Sequence, residues 1–430
     1  MNTHVSELLA FGLVAVTIAV FILIGIVREL APQHQGKWLL GIAMGFGVLA
    51  FSFKIVFILT FNNFAQPILQ YLPTQPSIPH AIKSLYVNTT PVKTEAYIWE
   101  ALPDIAPAPT NNPTTVEKIA LGKKLFFDAR LSADGSLSCV SCHELSEEKG
   151  GSDGLSSSIG IHGQQGQRNA PTVLNAAFQR VLFWDGRANS LEQQAIGPIT
   201  NPIEMGMPSS EAVQERVQSI AEYQAYFAQA FPENPKVTVD NIAKAIATYE
   251  RTLITPNSAY DRFVKGDSDA LSAQQLRGMA LFESTGCILC HSGANFSGAS
   301  INSDNTAYRI FPTVPNTQYE KEYKLADDLG AAHRFTDVKR GVWRIPSLRN
   351  VNRTAPYFHN GSVDDLEEAV RIMGRVQLNH TLSNDATDDK HRYWSYEEQQ
   401  LLESANQALT DNEVKDIVAF LTGLDGVLPN

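Results

Sequence analysis

Two long apolar runs open the chain. Residues 8–27 form 20 uncharged positions, and residues 38–61 form 24 positions interrupted only by Lys54. Each run is long enough to cross the ~30 Å hydrocarbon core of a bilayer as a helix. The pattern predicts a membrane anchor in residues 1–62. The alternative is that the first run is a cleaved signal peptide and only the second run is an anchor.

The connector between the two runs predicts their orientation. It contains Arg28 and Lys37, and loops that carry positive charge stay in the cytoplasm. Both ends of the anchor would then face the periplasm. We therefore expect a protein of the bacterial inner membrane, with two spans and with its remaining domains in the periplasm.

A proline-rich stretch follows the second run, and residues 63–113 are expected to form an extended periplasmic tether. Beyond it, strand signals are sparse and apolar residues recur at helical spacing. The predicted fold is therefore mainly α. The clearest helical segments are residues 115–130, 239–251, 272–283 and 411–421.

These segments belong to a weak internal repeat. The pattern Gly-x-x-Leu-Phe occurs at residues 122–126 and again at residues 278–282, each time shortly before a pair of cysteines. Each copy also closes with an amphipathic helix. The repeat predicts two similar helical domains, residues 114–265 and residues 266–430.

Charge and composition limit the kinds of molecule that this protein is expected to bind. The 430-residue chain has a formal net charge of −11 and is 44% hydrophobic, which is ordinary for a globular protein. A negative protein lacks the basic face that nucleic acid requires. We therefore expect no nucleic-acid partner.

The four cysteines supply the strongest chemical signal. All of them lie in two Cys-x-x-Cys-His motifs, one with Cys139, Cys142 and His143 and the other with Cys287, Cys290 and His291. Two thiols at this spacing can reach the two vinyl groups of one porphyrin, and the histidine can bind its iron. The motifs predict two covalently bound haem c groups, one in each of two cytochrome c-like domains. The alternatives are a zinc site or a redox dithiol.

Several longer motifs surround the cysteine pairs. Between the pairs lie residues 168–175, 183–188 and 197–206, and residues 354–361 and 369–374 follow the second pair. In this order they resemble the bacterial di-haem cytochrome c peroxidase family, which includes the MauG-type enzymes. The resemblance runs from about residue 114 to the C-terminus and does not cover the apolar runs.

The resemblance implies roles for individual residues. The N-terminal haem would meet peroxide, with Glu204 as the distal acid and Gln194 beside it, and Trp184 would lie between the haems. Met373 would bind the iron of the C-terminal haem, which stores electrons. The protein ligands of an interdomain calcium ion would be Asn169 and the carbonyl groups of Thr354 and Pro356.

One position departs from the family pattern. Where well-known members carry a histidine that binds the resting N-terminal haem, this chain has Ile161, with His162 next to it. Two alternatives follow. Either the loop shifts by one residue and His162 is the resting ligand, or the haem is open at rest.

The resemblance implies an enzyme that reduces hydrogen peroxide to water. Its donor would be a cytochrome c, a copper protein or a quinol, and the protein could form a homodimer. Two other functions stay open: a MauG-like oxidase of protein side chains, and a di-haem cytochrome that only transfers electrons. A methionine at position 373 favours the peroxidase, because MauG-type proteins carry a tyrosine as axial ligand.

Overall fold

The computed structural model describes residues 97–303, 307–312, 318–328, 330–331, 341–374 and 409–429. These residues belong to a compact unit that covers residues 73–430. The α-helices of the described part are α1 Val116–Phe126, α2 Leu191–Thr200, α3 Ser210–Ser219, α4 Ala221–Ala230, α5 Val239–Glu250, α6 Ala259–Val264, α7 Ala273–Ser284, α8 Gln318–Glu322, α9 Leu366–Met373 and α10 Asp411–Thr422.

Strands contribute little to the described residues, as the sequence predicts. The strands β1 (Tyr308–Ile310) and β2 (Val342–Arg344) form a two-stranded antiparallel sheet in which Arg309 faces Trp343. Short 3-10 turns join the helices, and two of them carry the cysteine motifs. The prediction of a mainly helical fold is confirmed.

The predicted helices begin and end close to the expected residues. The Thr115 side chain accepts a hydrogen bond from the Lys118 N–H at the start of α1. Thr410 caps α10 and exchanges hydrogen bonds with Glu413, while Gly423 follows the last residue of this helix. Side chains that satisfy the free N–H groups of the first turn define these starts.

The glycine of the repeated Gly-x-x-Leu-Phe pattern has the same structural role in both copies. A Cβ atom at Gly122 in α1 would lie 2.0 Å from the carbonyl oxygen of Ala245 in α5, and one at Gly278 in α7 would lie 1.8 Å from that of Asp416 in α10. Both positions therefore need glycine, because the leading helix of each copy crosses the closing helix at backbone contact distance. The two copies use the same helix crossing.

Two large apolar clusters surround these crossings. One contains buried residues between 121 and 253, including Phe126, Tyr223 and Ile246. The other contains buried residues between 260 and 424, including Phe296 and Phe420. We refer to them as the N-terminal core and the C-terminal core.

The described part of the predicted tether, residues 97–113, has no helix or strand and lies against the folded unit. Leu102 is 1% exposed and Ala106 is 7% exposed. The Leu102 N–H donates a hydrogen bond of 2.8 Å to Asp261 Oδ1, and Asp261 forms a buried ion pair of 2.9 Å with Arg349. The described part of the predicted tether is therefore extended chain that packs against the folded unit.

The described helices contradict the predicted location in the inner membrane. Within the part of the chain that the structure describes, no helix is long and apolar enough to cross a bilayer. The longest, α5, α7 and α10, have 12 residues each, about 18 Å against a hydrocarbon core of ~30 Å. The predicted spans, residues 8–27 and 38–61, lie outside the described residues.

Candidate active site

Both cysteine motifs form the same local turn. The N–H of His143 donates to the carbonyl oxygen of Cys139 at 3.0 Å, and the N–H of His291 donates to that of Cys287 at 2.9 Å. Each histidine therefore lies one turn beyond the first cysteine of its motif. None of the four cysteines forms a disulfide, so every thiol remains for attachment of a cofactor.

The two histidines are oriented by backbone carbonyl groups. Nδ1 of His143 lies 3.4 Å from the Gly151 oxygen, and Nδ1 of His291 lies 3.1 Å from the Phe296 oxygen. A carbonyl can only accept, so the hydrogen is on Nδ1 and the lone pair of Nε2 is left for a metal. Burial lowers the pKa of His143, and it lowers that of His291 to about 4. The lowered pKa values favour the neutral ring that an iron ligand needs.

A continuous cavity of about 670 Å³ connects the two motifs. Its size is within the range of cofactor pockets. The predicted site residues that line it are Cys139, Cys142, His143, Asn169, Trp184, Gln194, Glu204, Cys287, Cys290, His291, Thr354, Pro356 and Met373. The fold therefore gathers residues that lie more than 230 positions apart in the chain around one space, which contains the thiols and histidines that the predicted haem groups need.

The alternatives for the cysteine motifs do not fit this environment. A redox dithiol needs a thiol with a lowered pKa, but burial raises the pKa of Cys139 and raises that of Cys287 to about 11. A zinc site needs further ligands close by. Among the described residues, no group of three or more His, Cys, Asp or Glu side chains is placed to hold a metal ion.

Glu204 lies in a tight turn after α2. The N–H of Gly206 closes this turn on the carbonyl oxygen of Asn201 at 2.8 Å, and Asn201 Nδ2 donates to Glu204 Oε1 at 2.9 Å. Burial raises the pKa of Glu204, and the nearby Arg187 lowers it in part. A carboxyl group in this state can exchange protons closer to neutral pH than an exposed one.

Gln194 and Trp184 are positioned by neighbouring elements. Gln194 lies on α2, where its N–H donates to the carbonyl oxygen of Ser190 at 3.0 Å, and it is half-buried at the cavity wall. Trp184 Nε1 donates to the Asn169 carbonyl oxygen at 2.8 Å. The N–H of Arg344 in β2 donates to the carbonyl oxygen of Trp184 at 2.8 Å. Trp184 is thus fixed between segments from both motif regions.

His162 is the predicted site residue that the fold keeps away from the cavity. Its side chain is 66% exposed and its Nδ1 lies 3.7 Å from Asp134 Oδ2. Its neighbour Ile161 is buried, and the Ile161 N–H donates to the Glu204 carbonyl oxygen at 2.9 Å. In this structure His162 is not placed to bind a haem. A ligand role would need this loop to turn over and stays a prediction.

Two buried acids near the motifs were missed by the sequence analysis. Glu250, the last residue of α5, lines the cavity, and its Oε2 has no hydrogen-bond partner in the part of the chain that the structure describes. Burial raises its pKa to about 8. Glu283 lies on α7 and is 1% exposed. Glutamates on amphipathic helices usually face solvent. The only sequence signal for these two acids would have been a position on the apolar face of a predicted helix.

Comparison with known proteins agrees with this site. The sequence profile of the family described as Di-haem cytochrome c peroxidase matches residues 116–269. Cytochrome c551 peroxidase of Nitrosomonas europaea is 38% identical over 335 residues, which cover 78% of this chain and 88% of that protein. The chain belongs to the di-haem cytochrome c peroxidase family. Membership implies two haem c groups, as the cysteine motifs predict.

Other relatives show the breadth of the family. Cytochrome c551 peroxidase of Pseudomonas aeruginosa is 39% identical, over 77% of this chain and 85% of that protein. The methylamine utilization protein MauG of Methylorubrum extorquens is 35% identical, over 75% and 82%. A solved MauG-like protein associated with microbial copper homeostasis has 31% identity and a TM-score of 0.61, over 76% of this chain and 95% of that one. The prediction of a di-haem cytochrome c peroxidase is confirmed.

Proposed function

We propose that this chain reduces hydrogen peroxide to water, with two electrons and two protons, beside Glu204 and Gln194. The observation that carries the proposal is that a half-buried acid, Glu204, lines the same cavity as the first cysteine motif and has a raised pKa. Haem c bound at Cys139, Cys142 and His143 would supply the redox chemistry that cleaves the O–O bond. The names of the relatives agree with peroxide as the substrate.

Glu204 is proposed to move the proton. Its carboxylate accepts a proton from one oxygen of hydrogen peroxide and donates it to the other, so that the leaving group departs as water rather than hydroxide. The hydrogen bond from Asn201 holds the acid in place. The polar amide of Gln194, which lines the same cavity, would orient the peroxide.

The second motif region is proposed to store an electron. Cys287 and Cys290 would attach the haem there, and His291 and Met373 would bind its iron, since a sulfur ligand raises the potential. Met373 ends α9 and faces the cavity. Trp184 lines the same cavity, and this supports its proposed place on the path between the two haems.

A calcium site is proposed beside Trp184. Asn169 is 7% exposed, and its Nδ2 donates to the Leu155 carbonyl oxygen at 2.9 Å, which leaves Oδ1 for a cation. Thr354 and Pro356 line the same cavity. Amide and carbonyl oxygens are ligands that Ca²⁺ prefers, so an ion here would connect the segments around both motifs.

The division into two cytochrome c domains, residues 114–265 and residues 266–430, is also a proposal. The separate N-terminal and C-terminal cores support it. The donor is proposed to be a small redox protein, a cytochrome c or a copper protein, with a quinol as the alternative. A homodimer is compatible with this arrangement.

Steady-state turnover tests the function. The holoprotein is expected to consume hydrogen peroxide with reduced cytochrome c as donor, and the half-reduced protein should show a high-spin signal that disappears when peroxide is added. A protein with two six-coordinate irons and no turnover would be an electron-transfer cytochrome. Turnover that needs a protein side chain as the reductant would instead indicate a MauG-like oxidase.

The pH profile tests the role of Glu204. The carboxylate form is the base, so activity should be lost as the pH falls through its pKa, which burial raises above the ordinary 4.5. We expect the acidic limb of kcat/KM to lie above pH 4.5. The residual activity of a Glu204→Gln variant should lack this limb. A limb that persists unchanged in the variant would assign it to another group.

A further inference from the structure

An aromatic cluster lies next to the second cysteine motif, outside the residues used above. Tyr97 and Trp99 come from the extended segment before α1, and their rings are 4.8 Å apart at an angle of 88°. The ring of Trp99 lies 6.0 Å from Tyr260, 6.2 Å from Phe296 and 5.9 Å from Phe420. Tyr97 and Trp99 are both half-buried, so the cluster reaches from the C-terminal core to the surface.

Two independent contacts connect this cluster to His291. The hydroxyl of Tyr97 accepts a hydrogen bond of 2.8 Å from the N–H of Gly293, two residues after His291. The carbonyl oxygen that orients the His291 ring belongs to Phe296, and the Phe296 ring contacts the rings of both Tyr260 and Trp99. Tyr97 and Trp99 are therefore connected to His291, the predicted ligand of the second haem, through hydrogen bonds and through ring contacts.

Glu283 gives Trp99 a buried acid as hydrogen-bond partner. Glu283 is 1% exposed, and its carboxyl group interacts with the indole N–H of Trp99, which lowers its pKa in part against the larger effect of burial. Among the described residues, its Oε1 has no hydrogen-bond partner. Burying such a group is unfavourable, and a buried unsatisfied polar group in a native structure can indicate a redox or catalytic role.

We infer that Trp99 is a redox-active residue that exchanges single electrons with the second haem site. Trp99 loses one electron to the oxidised haem site at His291 and transfers its Nε1 proton to the Glu283 carboxylate. A neutral indolyl radical is left. A one-electron donor of the peroxidase reaction at the surface beside Tyr97 returns the electron, and Glu283 returns the proton. The inference rests on the proposed peroxidase function, which supplies the oxidising equivalents.

The chemistry of the cluster favours this role over packing alone. Tryptophan and tyrosine are the aromatic side chains that lose an electron at accessible potentials, whereas the phenylalanines around them do not. Apolar packing would be served equally well without an acid at position 283. Burial raises the pKa of Glu283 to about 7, so this group can both accept and release a proton near neutral pH.

The test is rapid-freeze electron paramagnetic resonance of the holoprotein, mixed with peroxide in the absence of a donor. We expect a tryptophanyl radical in the wild-type protein and its loss in Trp99→Phe. Glu283→Gln keeps the shape of the side chain but cannot take a proton. It should convert the signal to a protonated radical, recognised by an exchangeable proton coupling in H₂O that is absent in D₂O.

The controls separate this role from a structural one. Tyr226→Phe, at an exposed tyrosine on α4, should leave the signal unchanged. Wild-type protein treated with peroxide should also show oxygenated Trp99 by peptide mass spectrometry, which needs no variant to fold. The inference is wrong if the wild-type protein consumes peroxide without forming a tryptophanyl radical, or if the radical survives in Trp99→Phe. Either result would leave the proposed function intact. A wild-type protein that consumes no peroxide would contradict the proposed function, and the inference with it.

Discussion

Glu204→Gln is expected to retain both haem groups and to lose nearly all peroxide turnover. Glutamine preserves the size of the side chain and can keep the contact with Asn201, which is 2.9 Å long in the wild type. It cannot accept or donate a proton at neutral pH. General acid–base catalysis contributes about 10²–10⁴-fold to a rate, so kcat/KM should fall by a factor in this range. Stopped-flow absorbance with reduced donor measures the change.

The matched control is Glu215→Gln. Glu215 is exposed on α3 and does not line the cavity, so the same chemical change there should leave the rate unaltered. Haem content, measured from the absorbance of the denatured protein, should be equal in both variants and the wild type. Near-wild-type turnover in Glu204→Gln would remove this residue from the proton-transfer step.

Met373→Ala is expected to have the largest effect on redox behaviour. Met373 is the last residue of α9, and the buried face of Leu366, Ala369 and Ile372 fixes this helix against the C-terminal core. If its sulfur binds the second haem, its removal should lower the potential of that haem on the order of 0.2 V, within the ~0.8 V that axial ligands span. A spectroelectrochemical titration resolves the two haems and reports the shift.

Met279→Ala is the control for this titration. Met279 belongs to the same core and is 8% exposed, but it does not line the cavity. It should destabilise the fold by about 2–5 kcal/mol, as loss of a buried methionine side chain does, with both potentials unchanged. Identical potentials in Met373→Ala and the wild type would exclude Met373 as a ligand.

Helix positions and haem chemistry could be predicted because both depend on short spacings. Residues 239–251 and 411–421 were predicted as helices, and the structure has Val239–Glu250 and Asp411–Thr422. The hydrogen bond from the N–H of the histidine to the first cysteine of each motif also spans only four residues. Such patterns are set by neighbours in the chain and need no knowledge of the rest of the fold.

The orientation of the loop at His162 could not be predicted in the same way. The sequence left two arrangements open. The structure has His162 exposed, because the Ile161 N–H is bonded to the Glu204 carbonyl oxygen, 43 positions away. A contact of this kind forms only when two distant segments pack together, and a single sequence does not show it.

The sequence by itself determined that this chain carries two Cys-x-x-Cys-His motifs on a mainly helical, repeated framework with family motifs around them. Tertiary structure decided which acids are buried and what they contact. Packing removes water from the carboxyl groups of Glu204 and Glu283 and so raises the pKa of each. Packing also brings Glu283 into contact with Trp99, which lies 184 positions before it in the chain. Desolvation depends on every segment that surrounds a group, so it is a property of the folded chain and not of any local pattern.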